Sequence, residues 1–208
     1  MIVVGWDVGG ANIKAASLNL TSPDRVQVIQ EPFALWREPH RLSATLIGIA
    51  TRLNGCADTM AITMTAELAD CFETKRAGVG FILDAFEAAF RGMPLRVYGT
   101  DGAFHSIADA RRSPIDVAAA NWMASATIVA RLFPDAVFVD VGSTTTDIVP
   151  ITGGQIKAGA RTDPARLVSG ELVYTGSLRT SVAAIVRSVP LNGSRCGVAA
   201  EYDLHPLR

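Results

Sequence analysis

Val137-Phe138-Val139-Asp140-Val141-Gly142-Ser143-Thr144-Thr145-Thr146-Asp147-Ile148 is the second of two like stretches in this chain. The first opens it: Ile2-Val3-Val4-Gly5-Trp6-Asp7-Val8-Gly9-Gly10-Ala11-Asn12-Ile13. Each is an apolar run that reads as a buried strand, then Asp-Val-Gly, then small polar residues, then the start of another strand. Glycine lets the backbone approach an anion closely and lets successive N–H groups point the same way, and Ser and Thr hydroxyls add donors. The Asp at each strand end would repel a bare phosphate, but it suits a Mg2+ ion lying between carboxylate and phosphate. Two such turns, facing each other, would clamp a polyphosphate from both sides. An ordinary glycine-rich hairpin explains either turn alone. It explains the pair poorly, and three consecutive threonines beside a buried strand worse. Neither a GxxxxGK[ST] P-loop nor a GxGxxG fingerprint is present, and a strand rather than a helix follows each turn.

Around these turns the pattern alternates strand and helix. Strands are expected at Ile2–Trp6, Ile13–Leu20 and Val26–Ile29, and again at Met60–Met64 and Leu95–Tyr98. The spacing of Leu42, Leu46, Ile49 and Leu53 predicts a helix over His40–Leu53, and that of Val79, Ile82, Phe86 and Phe90 a second over Val79–Phe90. Ser113-Pro114-Ile115-Asp116 has the form of a helix start, with the helix running to about Leu132. Further strands are expected at Val137–Val139, Ile148–Ile151, Gln155–Ala158 and Leu172–Tyr174, with Pro150 marking an edge or an irregularity. Ser181–Val189 is a short helix candidate, and the tail after Pro190 has no clear period.

Composition narrows the function classes. With 49% hydrophobic and 19% charged residues the chain can bury a sizeable core, which excludes general disorder. Lys and Arg (19) balance Asp and Glu (20), which argues against a dedicated nucleic-acid binder. The start has no basic n-region, so no secretory leader is expected. The uncharged run Val117–Ala130 is shorter than the roughly 18–20 residues a bilayer requires, so a soluble cytoplasmic protein is expected. Cys56, Cys71 and Cys196 form no CxxC pair, and buried or half-buried thiols are the expectation. His40, His105 and His205 form no metal motif.

The segment Asp7-Val8-Gly9-Gly10-Ala11-Asn12-Ile13-Lys14 resembles the first phosphate loop of the ASKHA superfamily (acetate and sugar kinases, chaperone ATPases, actin), and Asp140–Asp147 resembles the second. The hydantoinase/oxoprolinase-like branch is the nearest likeness. Within it the chain is similar to the tetrahydromethanopterin-linked C1-transfer group related to the archaeal methanofuran-biosynthesis synthase. Met64–Phe72, Ala120–Ser125 and Gly170–Gly176 carry that narrower likeness.

The resemblance implies an α/β fold of RNase H-like lobes, with residues 1–135 the first lobe and 136–208 a partial second. It also implies a transferase that joins a diphosphate-activated aminomethylfuran to an acceptor and releases diphosphate. Two other readings stay open: an ATP-dependent small-molecule kinase, and a non-catalytic binding relative. Asp7 and Asp140 are then the metal candidates, with Mg2+ expected. Gly9, Gly10, Ala11, Asn12, Lys14, Gly142, Ser143, Thr144, Thr145 and Thr146 are the phosphate candidates, although Lys14 also reads as a solvated strand residue. Glu67, Asp70 and Asp101 follow strand ends, where open α/β sheets place their ligands, and are candidate bases. A solvated loop explains the first two equally simply, and a turn-forming Asp the third. Glu171 and Tyr174 are substrate candidates, against an ordinary strand with polar ends. Cys71 and Trp122 read as structural. The expected partner is a small-molecule diphosphate or nucleotide, with no nucleic acid and no membrane, and a homodimer is allowed. ATP is compatible with the loops, but no glycine-rich adenosine segment follows them.

Length sharpens the picture. The two loops begin 133 residues apart (7 to 140), and only 68 residues follow Asp140 in a chain of 208. One complete lobe and about half of another are expected, with a sheet edge and apolar surface left for a partner to cover.

Overall fold

The computed structural model describes residues 1–53 and 57–200. Strands β1 (Ile2–Val8), β2 (Asn12–Asn19) and β3 (Val26–Pro32) form an antiparallel meander. The chain then passes through α1 (Leu42–Arg52) to β4 (Thr59–Met64), and through α2 (Lys75–Ala89) to β5 (Leu95–Tyr98). Both strands run parallel to β1 on its other side, and with β6 (Phe104–His105) the order is β3-β2-β1-β4-β5-β6. Three antiparallel strands followed by parallel strands across β1 is the RNase H-like arrangement.

Alternation decides which face is core. Val4, Trp6 and Val8 of β1 and Met60, Ile62 and Met64 of β4 are buried. They share one cluster with Leu42, Leu46 and Ile49 of α1 and Val79, Ile82, Leu83 and Phe86 of α2. Trp6 meets Phe86 edge-on, ring centroids 5.7 Å apart. The helix spacings read from the sequence are therefore core stripes. Asp7 and Thr63 are register partners on β1 and β4, and alternation puts both on the opposite face.

The helix expected from Ser113 begins later. Ser113 instead closes α3 (Ile107–Arg112), a short helix capped by the Ser106 hydroxyl, which accepts from the Asp109 amide. Pro114–Asp116 is a single 3-10 turn. The Asp116 carbonyl accepts from the amide and hydroxyl of Thr100, so it is taken from any continuing helix. Ala119 then turns to φ 48°, and α4 runs Asn121–Leu132. Its face packs on a second sheet through a small cluster of Tyr98, Trp122, Met123, Ala126 and Val149.

That second sheet contains β7 (Ala136–Val141), β8 (Thr146–Thr152), β9 (Gln155–Ile156) and β10 (Leu172–Val173), with α5 (Asp163–Ser169) between the last two. The order is β10-β8-β7, with β9 also on β8. Pro150 therefore lies in a central strand, not at an edge. It sits where the neighbour of β8 changes from β10 to β9, so its missing N–H interrupts no ladder there. β7 and β8 pair as β1 and β2 do, but no described strand pairs with the far side of β7. Val137, Val139 and Val141 are 65%, 51% and 57% exposed on that edge strand.

Of the helix expected over Ser181–Val189 only α6 (Val182–Ile185) is helical. Ser188 and Val189 belong to β11 (Ser188–Leu191), which pairs with β12 (Ser194–Gly197) across Asn192-Gly193, both at positive φ. This Asn-Gly hairpin turn is legible in the sequence, and the tail has structure where no period was visible. Cys71 and Cys196 are exposed thiols, not buried ones, because one follows a surface turn and the other lies in this outlying ribbon. Cys56, His205 and the last eight residues lie outside the described residues. Among the described residues no helix is long and apolar enough to cross a membrane.

Candidate functional site: two phosphate-type turns and a charged bridge

The two turns have the same construction. Val8 pairs with Ile13 and Val141 with Thr146, so each hairpin is closed by four residues. The Gly9 amide donates to the Asn12 carbonyl at 2.9 Å, and the Gly142 amide to the Thr145 carbonyl at 2.8 Å. A Cβ on Gly9 would meet the Asn12 carbonyl oxygen at 2.9 Å, and one on Gly142 would meet that of Thr145 at 3.2 Å. A side chain at Gly9 would force a shift, whereas one at Gly142 would crowd the same carbonyl less severely.

Two carbonyls of each turn are also tied to a neighbouring segment, although only Gly10 and Ser143 occupy the same position. In the first turn Gly10 and Ala11 accept from the amides of Leu35 and Phe33. In the second, Gly142 accepts from the amide and hydroxyl of Ser177, and Ser143 accepts from the amides of Leu178 and Arg179. The amides of Gly10, Ala11, Ser143 and Thr144 donate to no described residue. With two carbonyls tied to neighbouring segments and these amides unspent, each turn has the free donors that an anion site requires. The Thr146 hydroxyl is engaged within the fold, donating to the Thr175 carbonyl at 2.5 Å. The hydroxyls of Ser143 and Thr144 lie at the surface.

The residue facing the strand-end Asp differs between the turns. Lys14 stands opposite Asp7, and its Nζ is 3.2 Å from Asp7 Oδ2. Asp7 Oδ1 is buried without a partner, as is the Thr63 hydroxyl beside it in register. Asp147 stands opposite Asp140 and is claimed by Arg166 of α5 at 2.6 Å. Burial pushes the Asp147 carboxyl up, Arg166 pulls it down, and the Asp140 and Asp163 charges add to the rise, so the net direction is upward. Asp140 makes no side-chain bond to a described residue. Asp7 Oδ1 and Asp140 supply hard oxygen donors of the kind Mg2+ takes together with substrate phosphates, so the residues fit that ion. No cluster of three or more His, Cys, Asp or Glu exists among the described residues, so such an ion would draw on ligand oxygens.

The turn after β4 touches the first phosphate-type turn, because the Thr65 amide donates to the Val8 carbonyl at 2.9 Å. Glu67 in that turn is 1% exposed and neither carboxylate oxygen has a partner. Burial pushes its pKa up to about 8, against the opposing pull of its own amide, Lys75 and the Ala119 amide, with Asp163 adding to the rise. α2 docks directly on it: a Cβ on Gly78 would meet the Glu67 carbonyl oxygen at 2.6 Å. Lys75, in the first turn of α2, pairs with Asp163 of α5 at 2.5 Å. Two ion pairs thus anchor α5, Lys75 with Asp163 and Arg166 with Asp147, and the Lys75 charge also acts on the nearby Glu67.

The remaining candidates lie apart from these pairs or are occupied. Asp70 is exposed. Asp101 Oδ1 accepts from the Ala103 amide at 3.0 Å and pairs with His105 Nε2 at 3.0 Å. Its partial burial pushes the carboxyl up, but these bonds outweigh that and hold it below its usual range, which is the turn-forming role. The Glu171 carboxylate accepts from the Gly159 and Ala160 amides, while Tyr174 is 55% exposed. Trp122 is 2% exposed and carries the Arg166 guanidinium 3.8 Å from its ring centroid. Sequence reading missed Lys75, Asp163 and Arg166. The signal that marks α5, Thr162-Asp163-Pro164 ahead and Gly170 behind, is a helix start and stop.

Comparison with known proteins adds the following. The hydantoinase/oxoprolinase family profile matches residues 58–204. The (4-{4-[2-(gamma-L-glutamylamino)ethyl]phenoxymethyl}furan-2-yl)methanamine synthase of Methanocaldococcus jannaschii is 36% identical over 203 residues, 97% of this chain and 59% of that protein. The synthase of the same name from Methanococcus vannielii is 41% identical over 68 residues, 33% of this chain and 30% of that protein. The chain therefore spans less than two thirds of the length of either relative. Among solved structures, the ethanolamine utilization protein EutJ from Carboxydothermus hydrogenoformans aligns with TM-score 0.43 and 17% identity, covering 76% of this chain and 50% of that one. The ROK hexokinase from Thermus thermophilus aligns with TM-score 0.44 and 15% identity over 78% and 50%. With the family profile covering most of its length, the chain belongs to the hydantoinase/oxoprolinase family.

Proposed function

We propose that the protein is a transferase of methanofuran-type cofactor biosynthesis, in which the two turns hold the diphosphate leaving group of an activated aminomethylfuran. The observation that carries this is the shared construction of the turns: inward-tied carbonyls, unspent amides and a strand-end Asp in each. The name of the two synthases describes a phenoxymethylfuran, which is a phenol oxygen joined to a furan methylene. Such a bond forms when the phenol oxygen attacks the methylene carbon and the carbon–oxygen bond to diphosphate breaks, the electron pair leaving with diphosphate. The phenol proton must go to a base.

In this reading the amides of Gly10, Ala11, Ser143 and Thr144 receive the charge that develops on the departing diphosphate. Lys14 adds a cation at the first turn. Mg2+, held by Asp7 and Asp140, would supply further charge neutralisation to the diphosphate when bound. Glu67, a carboxylate in the turn that adjoins the first Asp-Val-Gly turn, is the candidate to take the phenol proton. Glu171 and Asp101 keep structural duties, and Asp70 and Tyr174 remain accessible for acceptor contacts.

The test is to incubate the protein with Mg2+, aminomethylfuran diphosphate and a γ-glutamyl-tyramine-type phenol, and to follow inorganic diphosphate. The reading expects diphosphate release that depends on the phenol and falls in Asp140→Asn. Release of ADP from ATP and a small-molecule acceptor, without diphosphate release, identifies the kinase alternative instead.

A further inference from the structure

We propose that Arg166 is a positioning residue for the second turn, acting through Asp147 and the strand that carries the turn's cover. This rests on the reading of that turn as an anion site. Arg166 is 1% exposed, in α5, and its guanidinium carbon lies 3.8 Å over the Trp122 ring of α4. Its Nη1 donates to Asp147 Oδ1 at 2.6 Å and its Nη2 to the Glu171 carbonyl at 3.0 Å. Those two groups flank one pairing, since Asp147 of β8 is the register partner of Leu172 of β10.

β10 leads straight into Thr175–Thr180, the segment that covers the turn. There the Thr175 carbonyl takes the Thr146 hydroxyl, and the amides of Ser177, Leu178 and Arg179 take the carbonyls of Gly142 and Ser143. Gly176 lies so close to Ser143 and Thr144 that a Cβ there would overlap both. One buried cation therefore fastens both strands from which the turn and its cover emerge. α5 is held in turn from the other side, through Asp163 and Lys75. If the cover shifts, the Gly142 and Ser143 carbonyls are released, and an outward carbonyl repels the anion that the amides would bind. The planar fork is needed, because lysine has no second donor in the same plane and does not stack on Trp122 in this way.

The probe is inorganic diphosphate with Mg2+, titrated by calorimetry into the full chain, with Arg166→Lys and the double variant Arg166→Met/Asp147→Leu. The double variant removes the pair without leaving a buried lone charge, which favours retention of the fold. Both variants should stay folded by circular dichroism yet bind diphosphate at least about tenfold more weakly, a factor worth about 1.4 kcal/mol. In the free proteins, hydrogen exchange at the amides of Ser177, Leu178 and Arg179 should quicken by about tenfold or more, while β1 and β4 amides keep their rates. Wild-type affinity in the double variant overturns the proposal, and so does unchanged exchange at those three amides. If the wild type itself fails to bind diphosphate, the functional reading above falls, and the exchange result alone decides the positioning role.

Discussion

The two Asp-Val-Gly turns share one backbone and differ in what surrounds it. The first leaves a central strand: β1 has β2 on one side and the parallel β4 on the other. The second leaves an edge: β7 has β8 on one side and no described strand on the other. At the first, the residue opposite the Asp is an exposed lysine that pairs with it. At the second it is a carboxylate held by a buried arginine. The difference teaches that the Asp-Val-Gly pattern fixes the turn, whereas the partner of the strand-end Asp is set by neighbours distant in the chain.

The largest expected effect is the pH dependence of stability that Glu67, beside the first turn, brings to the protein. Glu67 has a folded pKa of about 8 against an ordinary 4.5. The folded state thus binds its proton more tightly than the unfolded chain does. The associated stability is complete below pH 4.5, falls as pH rises toward 8, and levels off above it. The full swing is about 5 kcal/mol at most. Glu67→Gln, which does not ionise, should flatten the urea-unfolding stability between these limits. An unchanged slope in the variant would break the assignment.

Next comes the ion pair of the second turn. Arg166→Met should lose about 3–5 kcal/mol by urea unfolding, because it leaves Asp147 buried and unpaired. A loss below about 1 kcal/mol, the size expected of an exposed pair, would mean that the two turns are supported alike. Smaller again are the glycines. Gly9→Ala should cost about 1–3 kcal/mol through overpacking against the Asn12 carbonyl, and Gly142→Ala less, because its contact is looser. The reverse order would contradict the shared geometry. Smallest is Lys14→Met, with a stability change under about 1 kcal/mol since the pair is half exposed, yet with weaker diphosphate binding.

Much of the first sheet was legible because its signals are local. Leu95–Tyr98 appears with the bounds read from the sequence, and the stripes of α1 and α2 fall on the core. The likeness of the two turns was legible because glycine and aspartate positions encode backbone approach. The helix start at Ser113 was misleading because a valid local signal lost to a tertiary one, the Thr100 donors at the Asp116 carbonyl. Glu67 was a candidate from its place after a strand, but its burial and lack of partners depend on where Gly78 brings α2. Arg166 was hidden for another reason. An arginine in a polar stretch reads as solvated, and only the fold brings Trp122, Asp147 and the Glu171 carbonyl to it.

The central claim is that both turns act together on one diphosphate. Its most direct test is a titration of the isotope-labelled protein with inorganic diphosphate and Mg2+, followed at the backbone amides. The account predicts that Gly10, Ala11, Ser143 and Thr144 shift along one common binding curve, with Asp140→Asn weakening the response of all four. Shifts at only one of the two turns, or at neither under saturating diphosphate, would contradict it.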